Sequence, residues 1–260
     1  MSESIGFEEL LDSPRVQIFR QLGKHIRNRI RLLGSLFVFG FVLGYPIAGT
    51  AVSFLVKQEH LVPDGTSIII VNPLELVILR LQIAGYVGLG LVFLALICDA
   101  AAWRKKIDIP DDVEIPEISQ PARFRILISI ILSIILATIG ILYSWEILLP
   151  FLLDYLHQDA SSAGLEETWH LQAWVGFVVS LTLGSAFAFQ VPLVVILLLR
   201  GGLVERGVLS KYRRHIWFVS VVIGAMLSPP DPLSLALLAG PMIMLFEVAL
   251  LVDAIIPRRG

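Results

Sequence analysis

Three polar side chains interrupt the apolar runs of this sequence, and their chemistry needs an explanation. Asp231 lies among prolines in the stretch from Ser228 to Pro232, and Gln190 lies two residues before Pro192. Glu247 lies inside the final apolar run, where a carboxylate is a functional candidate by default and a position near the membrane surface is the alternative. The amide of Gln190 can bond to a partner or pack against a helix of the same chain, and both interpretations stay open.

The prolines around Asp231 predict a rigid turn. Pro229, Pro230 and Pro232 each lack a backbone N–H donor and limit helix continuation, so the flanking apolar runs should form a tight hairpin. At its tip, Asp231 is suited to cap the amino end of the next helix, because exposed N–H groups there favour a carboxylate. This position argues against a proton relay. Further upstream, Pro192 frees a carbonyl four residues back and predicts a kink.

No catalytic or metal-binding pattern accompanies these residues. Patterns for a nucleophile elbow, a zinc helix or a phosphate loop are absent from the sequence, and Cys98 alone cannot form a disulfide within the chain. The histidines fall in loops or at the ends of apolar runs: His25, His60, His157, His170 and His215. The sequence therefore predicts a protein that is not an enzyme, needs no cofactor or metal and binds no nucleic acid.

The composition places the chain in a membrane. Hydrophobic residues make up 56% and charged residues 16%, with a mean hydropathy of +0.82, which exceeds what a soluble domain of this length needs. Six apolar segments predict an all-α membrane protein with one six-span domain over residues 1–260. They are approximately Leu32 to Val56, Leu76 to Trp103, Phe124 to Tyr155, Leu171 to Leu199, Ile216 to Leu227 and Leu233 to Ile256.

The distribution of lysine and arginine predicts the orientation. Basic residues are dense in the amino-terminal segment 1–31, in the loop 104–123 and in the loop after the fourth span, so these segments should be cytoplasmic. The loop from Phe151 to Leu171 and the last hairpin contain no lysine or arginine, and the loop after the first span contains only Lys57. We therefore expect a multi-pass protein of the cell membrane with both termini cytoplasmic.

The last two apolar runs are short. Fourteen residues separate Arg214 from Pro229, which is about 21 Å of helix against a hydrocarbon core of about 30 Å. Fourteen more separate Pro232 from Glu247. Thinning of the bilayer, helix association or shielding by protein must compensate for the mismatch.

The carboxy-terminal half resembles the TatC family. The resemblance rests on Phe189 to Pro192, Lys211 to Arg214, Gly224 to Asp231 and Pro241 to Glu247, in this order and at these distances. It implies a concave, glove-shaped bundle with short fifth and sixth helices. It also implies a translocase subunit that binds twin-arginine signal peptides of folded proteins and uses the proton gradient. Implied partners are small single-span subunits of the TatA and TatB type, membrane lipid and further copies of the chain.

The chain departs from the family where signals are recognised. The amino-terminal family motif aligns with Gly23 to Arg29, so that Arg27 and Arg29 carry over while His25 replaces a glutamate. A second glutamate, in the first cytoplasmic loop, is also missing, and Gln190 stands where the family commonly has a glutamate. In the leading interpretation, Pro192, the Pro229 and Pro230 pair, Asp231, Gln190 and Glu247 organise the hairpin and a groove for partners.

An acidic loop is the candidate replacement for the missing carboxylates. Beside Arg27, we expect four residues of segment 104–123 to contact the signal peptide: Asp111, Asp112, Glu114 and Glu117. Two guanidinium groups favour bidentate pairs with carboxylates. Two alternatives remain, a divergent paralogue that partners a typical TatC without binding signals, and a secondary transporter for a small solute.

Overall fold

The structure is a computed structural model that describes residues 14–58, 67–102, 122–162, 168–201, 204, 206–228 and 231–255. Nearly all described residues are helical. In chain order the elements are α1 (Pro14–Val56), β1 (Ser67–Ile69), α2 (Glu75–Ala102), α3 (Ala122–Tyr143), a π-helical segment (Ser144–Leu148), α4 (Leu149–Ser162), β2 (Thr168–His170), α5 (Leu171–Ala188), α6 (Val191–Arg200), α7 (Arg206–Lys211), α8 (Arg213–Leu227) and α9 (Pro232–Ile255).

Five helical stretches of the described chain are long and apolar enough to cross a membrane, which confirms an all-α membrane fold. They are Arg29–Val56, Glu75–Ala102, Arg123–Ser162, Leu171–Arg200 and Pro232–Ile255. Helix α8, with 15 residues, is the short helix that the sequence predicted, about 22 Å long. Helix α9 has 24 residues and continues past Glu247, so it is longer than its uninterrupted apolar run.

Two three-residue strands join the loops at one end of the bundle, a feature that the sequence did not predict. Strands β1 and β2 pair in parallel, with Ser67 opposite Thr168 and Ile69 opposite His170. Strand β1 connects α1 to α2, and β2 connects α4 to α5. In both cases the preceding helix runs toward this end of the bundle and the following helix runs away from it. The pairing places the ends of α1 and α4 on one side, which we call the outer end.

The fourth span is interrupted at the predicted kink. Helix α5 ends at Ala188 and α6 begins at Val191, with Pro192 in the first turn of α6. Between them, the N–H of Phe189 donates to the Ser185 carbonyl at 3.0 Å, and the N–H of Gln190 donates to the Phe187 carbonyl at 3.0 Å. Pro192 has no N–H to continue the backbone hydrogen bonds of the helix, so the helix is interrupted here. The side chain of Gln190 lies inside the bundle.

A second proline distorts the third span. Between α3 and α4, residues 144–148 form a π-helical turn in which the N–H of Leu149 donates to the carbonyl of Ser144. The next residue, Pro150, cannot donate to the carbonyl four residues earlier, so the ladder shifts by one residue. The exposed carboxylate of Glu146 lies on this turn.

The main apolar core lies toward the outer end, where five helices and the strand pair converge. Its fully buried side chains include Leu79 of α2, Leu152 of α4, Val175 of α5 and Leu238 of α9. A smaller cluster joins α6 to α9 near the inner end around Phe246, which is 1% exposed. The outward faces of the helices carry large exposed apolar side chains, which suit contact with lipid.

Helices α1 and α2 pack closely through glycines. A Cβ atom on Gly40 would lie 2.8 Å from the Cα of Gly88, and a Cβ atom on Gly44 would lie 2.9 Å from the Cα of Ala84. Small residues allow helix backbones to approach within a membrane. This contact fixes the register between the two helices and brings Arg29 of α1 to the level of Asp99 of α2.

Candidate functional site

Asp231 forms the helix cap that the sequence predicted. Its carboxylate Oδ2 accepts a hydrogen bond from the backbone N–H of Ser234 at 2.7 Å, and its Oδ1 accepts one from the Ser234 hydroxyl. The Asp231 carbonyl also accepts the N–H of Leu235 at 3.2 Å, which begins α9. The side chain thus satisfies a free N–H of the first turn. Pro229 and Pro230 lie outside the described residues.

Replacing Asp231 with alanine should destabilise the hairpin. The lost cap leaves the Ser234 N–H without its acceptor and is expected to lower the free energy of unfolding by about 1 kcal/mol. Thermal unfolding of the purified chain in detergent measures the change. Asp159→Ala is the matched control, because Asp159 is exposed in the last turn of α4, where a carboxylate is not favoured. Equal unfolding temperatures for Asp231→Ala and the unmodified chain would contradict the cap.

Glu247 joins the inner ends of α8 and α9. Its Oε2 lies 3.0 Å from Nη2 of Arg213, and its Oε1 accepts a hydrogen bond from Nε1 of Trp217 at 3.0 Å. Arg213 is the first residue of α8, so Glu247 lies at the level where that short helix begins. The Arg213 side chain is 46% exposed, so the pair contributes little to stability and mainly orients the helices. Both ends of the hairpin are therefore fixed by a carboxylate.

Gln190 bonds within the chain. It is 3% exposed, and its Oε1 accepts a hydrogen bond from the Ser133 hydroxyl of α3 at 3.0 Å. Its Nε2 donates to the Ser133 backbone carbonyl at 2.9 Å. The interruption before Pro192 directs this side chain toward α3. The amide therefore ties the break in the fourth span to the third span.

The residues proposed for signal recognition are only partly described. Arg27 lies on α1 with an exposed side chain. Asp111, Asp112, Glu114 and Glu117 lie outside the described residues. At the start of the first span and near the inner end of α2, the structure instead pairs Arg29 Nη1 with Asp99 Oδ1 at 2.8 Å. The described residues thus place a carboxylate beside the amino-terminal motif, although at a position that the sequence analysis did not select.

Two carboxylates were missed by sequence reasoning. Asp99 lies one helical turn before the end of the second predicted span, and Arg29 lies one turn before the start of the first predicted span. The opposite charges at the same membrane level were the sequence signal for this ion pair. Glu75 is 4% exposed at the start of α2 and accepts backbone N–H groups from Val71, Asn72 and Gln172. The sequence feature that could have identified Glu75 was an acidic residue in the first turn of a helix, where a carboxylate is favoured.

The described residues contain no group of three or more histidine, cysteine, aspartate or glutamate side chains placed to bind a metal ion. Four described carboxylates, Glu75, Asp99, Asp231 and Glu247, each accept from arginine, indole, backbone N–H or hydroxyl donors of the same chain. Such an arrangement can orient helices.

Comparison with known proteins identifies similar chains along most of the sequence. A family model for TatC, the Sec-independent protein translocase protein, matches residues 23–241. The TatC protein of Listeria innocua is 25% identical over 236 residues, which are 91% of this chain and 91% of that protein. A chloroplastic TATC protein of Oryza sativa is 28% identical over 241 residues, 92% of this chain and 63% of that protein.

A solved structure shares the fold. The crystal structure of a twin arginine translocase receptor, TatC, aligns with a TM-score of 0.67 at 20% identity, over 89% of this chain and 97% of that one. A second crystal structure of such a receptor, in DDM, has a TM-score of 0.66 at 22% identity, over 88% and 97%. At these identities the likeness establishes the arrangement of the helices.

Proposed function

The chain belongs to the TatC family of Sec-independent protein translocase subunits, and we propose that it binds twin-arginine signal peptides and supports export of their folded cargo by using the proton gradient. The observation that carries the proposal is the family match over residues 23–241. The capped hairpin around Asp231, the Glu247 pair and the Gln190 contact support it, since they lie in the region of the resemblance. Membership of a protein translocase family does not favour a solute transporter.

We propose that the chain lies in the cell membrane with both termini cytoplasmic. The inner ends of the spans carry Arg29, Arg123, Arg200 and Arg213, whereas the described loops at the outer end contain Lys57 as their basic residue and Arg80 lies in the second turn of α2. Basic residues remain on the cytoplasmic side during insertion. The pairing of β1 with β2 supports this orientation, because it places two loops that are poor in basic residues on the same side of the membrane.

The proposed partners are single-span subunits of the TatA and TatB type. Helix α8 is about 22 Å long and carries exposed apolar side chains, with Phe218 67% and Met226 81% exposed. A helix this short causes a hydrophobic mismatch that association with another apolar helix relieves. Lipid and further copies of the chain are the other partners proposed for these faces.

The acidic loop is proposed to receive the signal peptide together with Arg27. Asp111, Asp112, Glu114 and Glu117 supply carboxylates for guanidinium groups, and their number compensates for the glutamates that the family carries elsewhere. Arg27 is exposed on α1. Its positive charge would orient the peptide by keeping the two arginines on the acidic side.

Photocrosslinking in membranes tests signal binding. A folded reporter with a twin-arginine signal and a photoreactive group beside the arginines should crosslink to the chain, whereas a twin-lysine signal should not, because lysine lacks the planar bidentate fork. Equal crosslinking of the two signals would contradict the receptor function, and no crosslinking of either would favour the paralogue without signal binding. Neutral replacement of Asp111, Asp112, Glu114 and Glu117 should abolish crosslinking, and unchanged crosslinking would contradict the role of the loop alone.

A further inference from the structure

Tyr143 contacts two helix interruptions at once. The centre of its ring lies 5.5 Å from the ring centre of Phe189, in the interruption between α5 and α6. Its hydroxyl donates to the backbone carbonyl of Leu237 in α9 at 2.8 Å. Tyr143 is the last residue of α3, so one side chain of the third span reaches the fourth span and the last span at the same level of the bundle.

The Leu237 carbonyl is the one that Pro241 leaves without its helical donor. In a regular helix the N–H at position 241 would donate to this carbonyl, but proline has no N–H. The hydroxyl of Tyr143 supplies a donor instead. Prolines are the usual sites of sharp helix bends, and a Cβ atom on the preceding residue, Gly240, would meet no atom within 4 Å. The helix therefore has both the cause of a bend and the space for one at this point.

The two interruptions also divide the apolar packing. Before them, α5 and the first turns of α9 belong to the main core through Val178 and Leu238. After them, α6 and the rest of α9 form the separate smaller cluster through Val195 and Phe246. We call α6 together with residues 242–255 the inner unit. Each cluster is held by its own packing, whereas backbone hydrogen bonds are missing between the two, so a change of angle is easiest there.

We propose that the inner unit tilts against the main core about these two interruptions and that Tyr143 is the positioning residue that holds its resting angle. While the hydroxyl bonds to Leu237, the bend in α9 is tied to the third span. A carbonyl without a donor is costly in the apolar interior, so the bonded angle is the resting one. The contact of Gln190 with Ser133 ties the other interruption to the same span.

The tilt moves one end of the short helix α8 relative to the other. Glu247 of the inner unit contacts Arg213 and Trp217 at the inner end of α8. Near the other end of α8, Gly224 packs against Ala239, which precedes the bend in α9. The angle of the inner unit therefore sets the orientation of the exposed apolar face of α8. The consequence of this orientation for partners and export rests on the proposed function, whereas the tilt itself does not.

Distances between two spin labels on the full-length chain in nanodiscs test the tilt. The labels are attached at Leu251→Cys in the inner unit and Ile78→Cys in α2, both exposed positions, with Cys98 replaced by alanine. With Tyr143 present, the distance distribution should be narrow. Tyr143→Phe keeps the ring and removes the hydroxyl, so it should broaden the distribution or add a second distance. An unchanged distribution in Tyr143→Phe would overturn the inference.

Two controls locate the effect. Labels at Ile78→Cys and Ile147→Cys both lie on helices of the main core, and their distance should stay narrow in Tyr143→Phe. Tyr155→Phe removes the hydroxyl of an exposed tyrosine on α4 and should change neither distribution. Equal broadening for both label pairs in Tyr143→Phe would mean that the whole bundle loosens, which also contradicts a tilt of the inner unit.

Pro241→Ala tests whether Tyr143 replaces the missing helical donor. This substitution supplies an N–H for the Leu237 carbonyl and continues the helix. Added to Tyr143→Phe, it should restore a narrow distribution at a different mean distance, because the bend is lost. Thermal unfolding of the four chains completes the cycle: Tyr143→Phe should lower the unfolding temperature when Pro241 is present and much less in Pro241→Ala. Equal losses in the two backgrounds would show that the hydroxyl makes only an ordinary contact, against the inference.

Export and signal binding separate this inference from the proposed function. Tyr143→Phe should crosslink to the twin-arginine signal as the unmodified chain does, yet export the folded reporter several-fold less, because α8 is no longer held at one orientation. If Tyr143→Phe exports as well as the unmodified chain, the positioning role in export is wrong and the receptor function stands. If the unmodified chain neither crosslinks nor exports, the proposed function is wrong, and the spin-label distances still decide the tilt.

Discussion

Replacing Gly140 with alanine is expected to force α3 away from α5 and to lower the amount of folded protein sharply. A Cβ atom at this position would lie 2.6 Å from the carbonyl oxygen of Ser185 and 2.9 Å from the Cα of Ala186. Both atoms belong to the backbone of α5, so no side-chain rotation relieves the contact. Overpacking of this kind costs about 1–3 kcal/mol, and separation of the helices would also strain the Gln190 contact with Ser133.

Thermal unfolding in detergent, together with the yield of protein in membranes, measures this effect. Gly90→Ala is the matched control, because the same substitution in α2 meets no atom within 4 Å. Alanine favours helix more than glycine does, so the control should be neutral or slightly stabilised. An equal response from the two variants would mean that α3 and α5 do not approach each other as the structure places them.

Replacing Glu75 with glutamine is expected to weaken the outer end of the bundle. The Oε1 atom accepts the N–H groups of Val71 at 3.2 Å and Asn72 at 3.0 Å, while Oε2 accepts that of Gln172 at 3.4 Å. Glutamine has a single oxygen and would direct an NH₂ group at one of these donors. The buried unsatisfied group costs about 1–3 kcal/mol, since the side chain is only 4% exposed.

Hydrogen exchange is the sharper measurement for Glu75→Gln. The amides of β1 and β2 should exchange faster, because Glu75 connects the segment after β1 to the start of α5 just after β2. Glu146→Gln removes an exposed carboxylate from the same half of the bundle and should leave that exchange unchanged. Protection of the strand amides in Glu75→Gln would contradict the role assigned to the carboxylate.

The main helices could be predicted from the sequence because membrane spans follow hydropathy. The predicted end at Val56 and the start at Leu171 agree with the structure. Helix α1 begins at Pro14, well before the predicted Leu32, because its first turns contain basic residues that a hydropathy pattern cannot distinguish from a loop. Likewise, Pro150 shifts the hydrogen bonding of the third span, which apolar composition does not reveal.

The site was predictable where local chemistry determines it. Asp231 caps the helix that begins next to it, so the residue type and its neighbours sufficed. The partners of Gln190 and Glu247 lie on other helices, 57 and 30 or more residues away, and depend on packing that one sequence does not display. The same holds for the pair between Arg29 and Asp99, whose members are separated by two complete spans.

Export in cells tests the central claim most directly. Cells lacking this gene, and cells in which it has been restored, would each carry a folded reporter with a twin-arginine signal, and the exported fraction would be measured with and without a protonophore. The account predicts that export is lost on deletion, returns with the restored gene, and stops when the proton gradient is dissipated. Unchanged export after deletion, in cells with no second TatC gene, would contradict it.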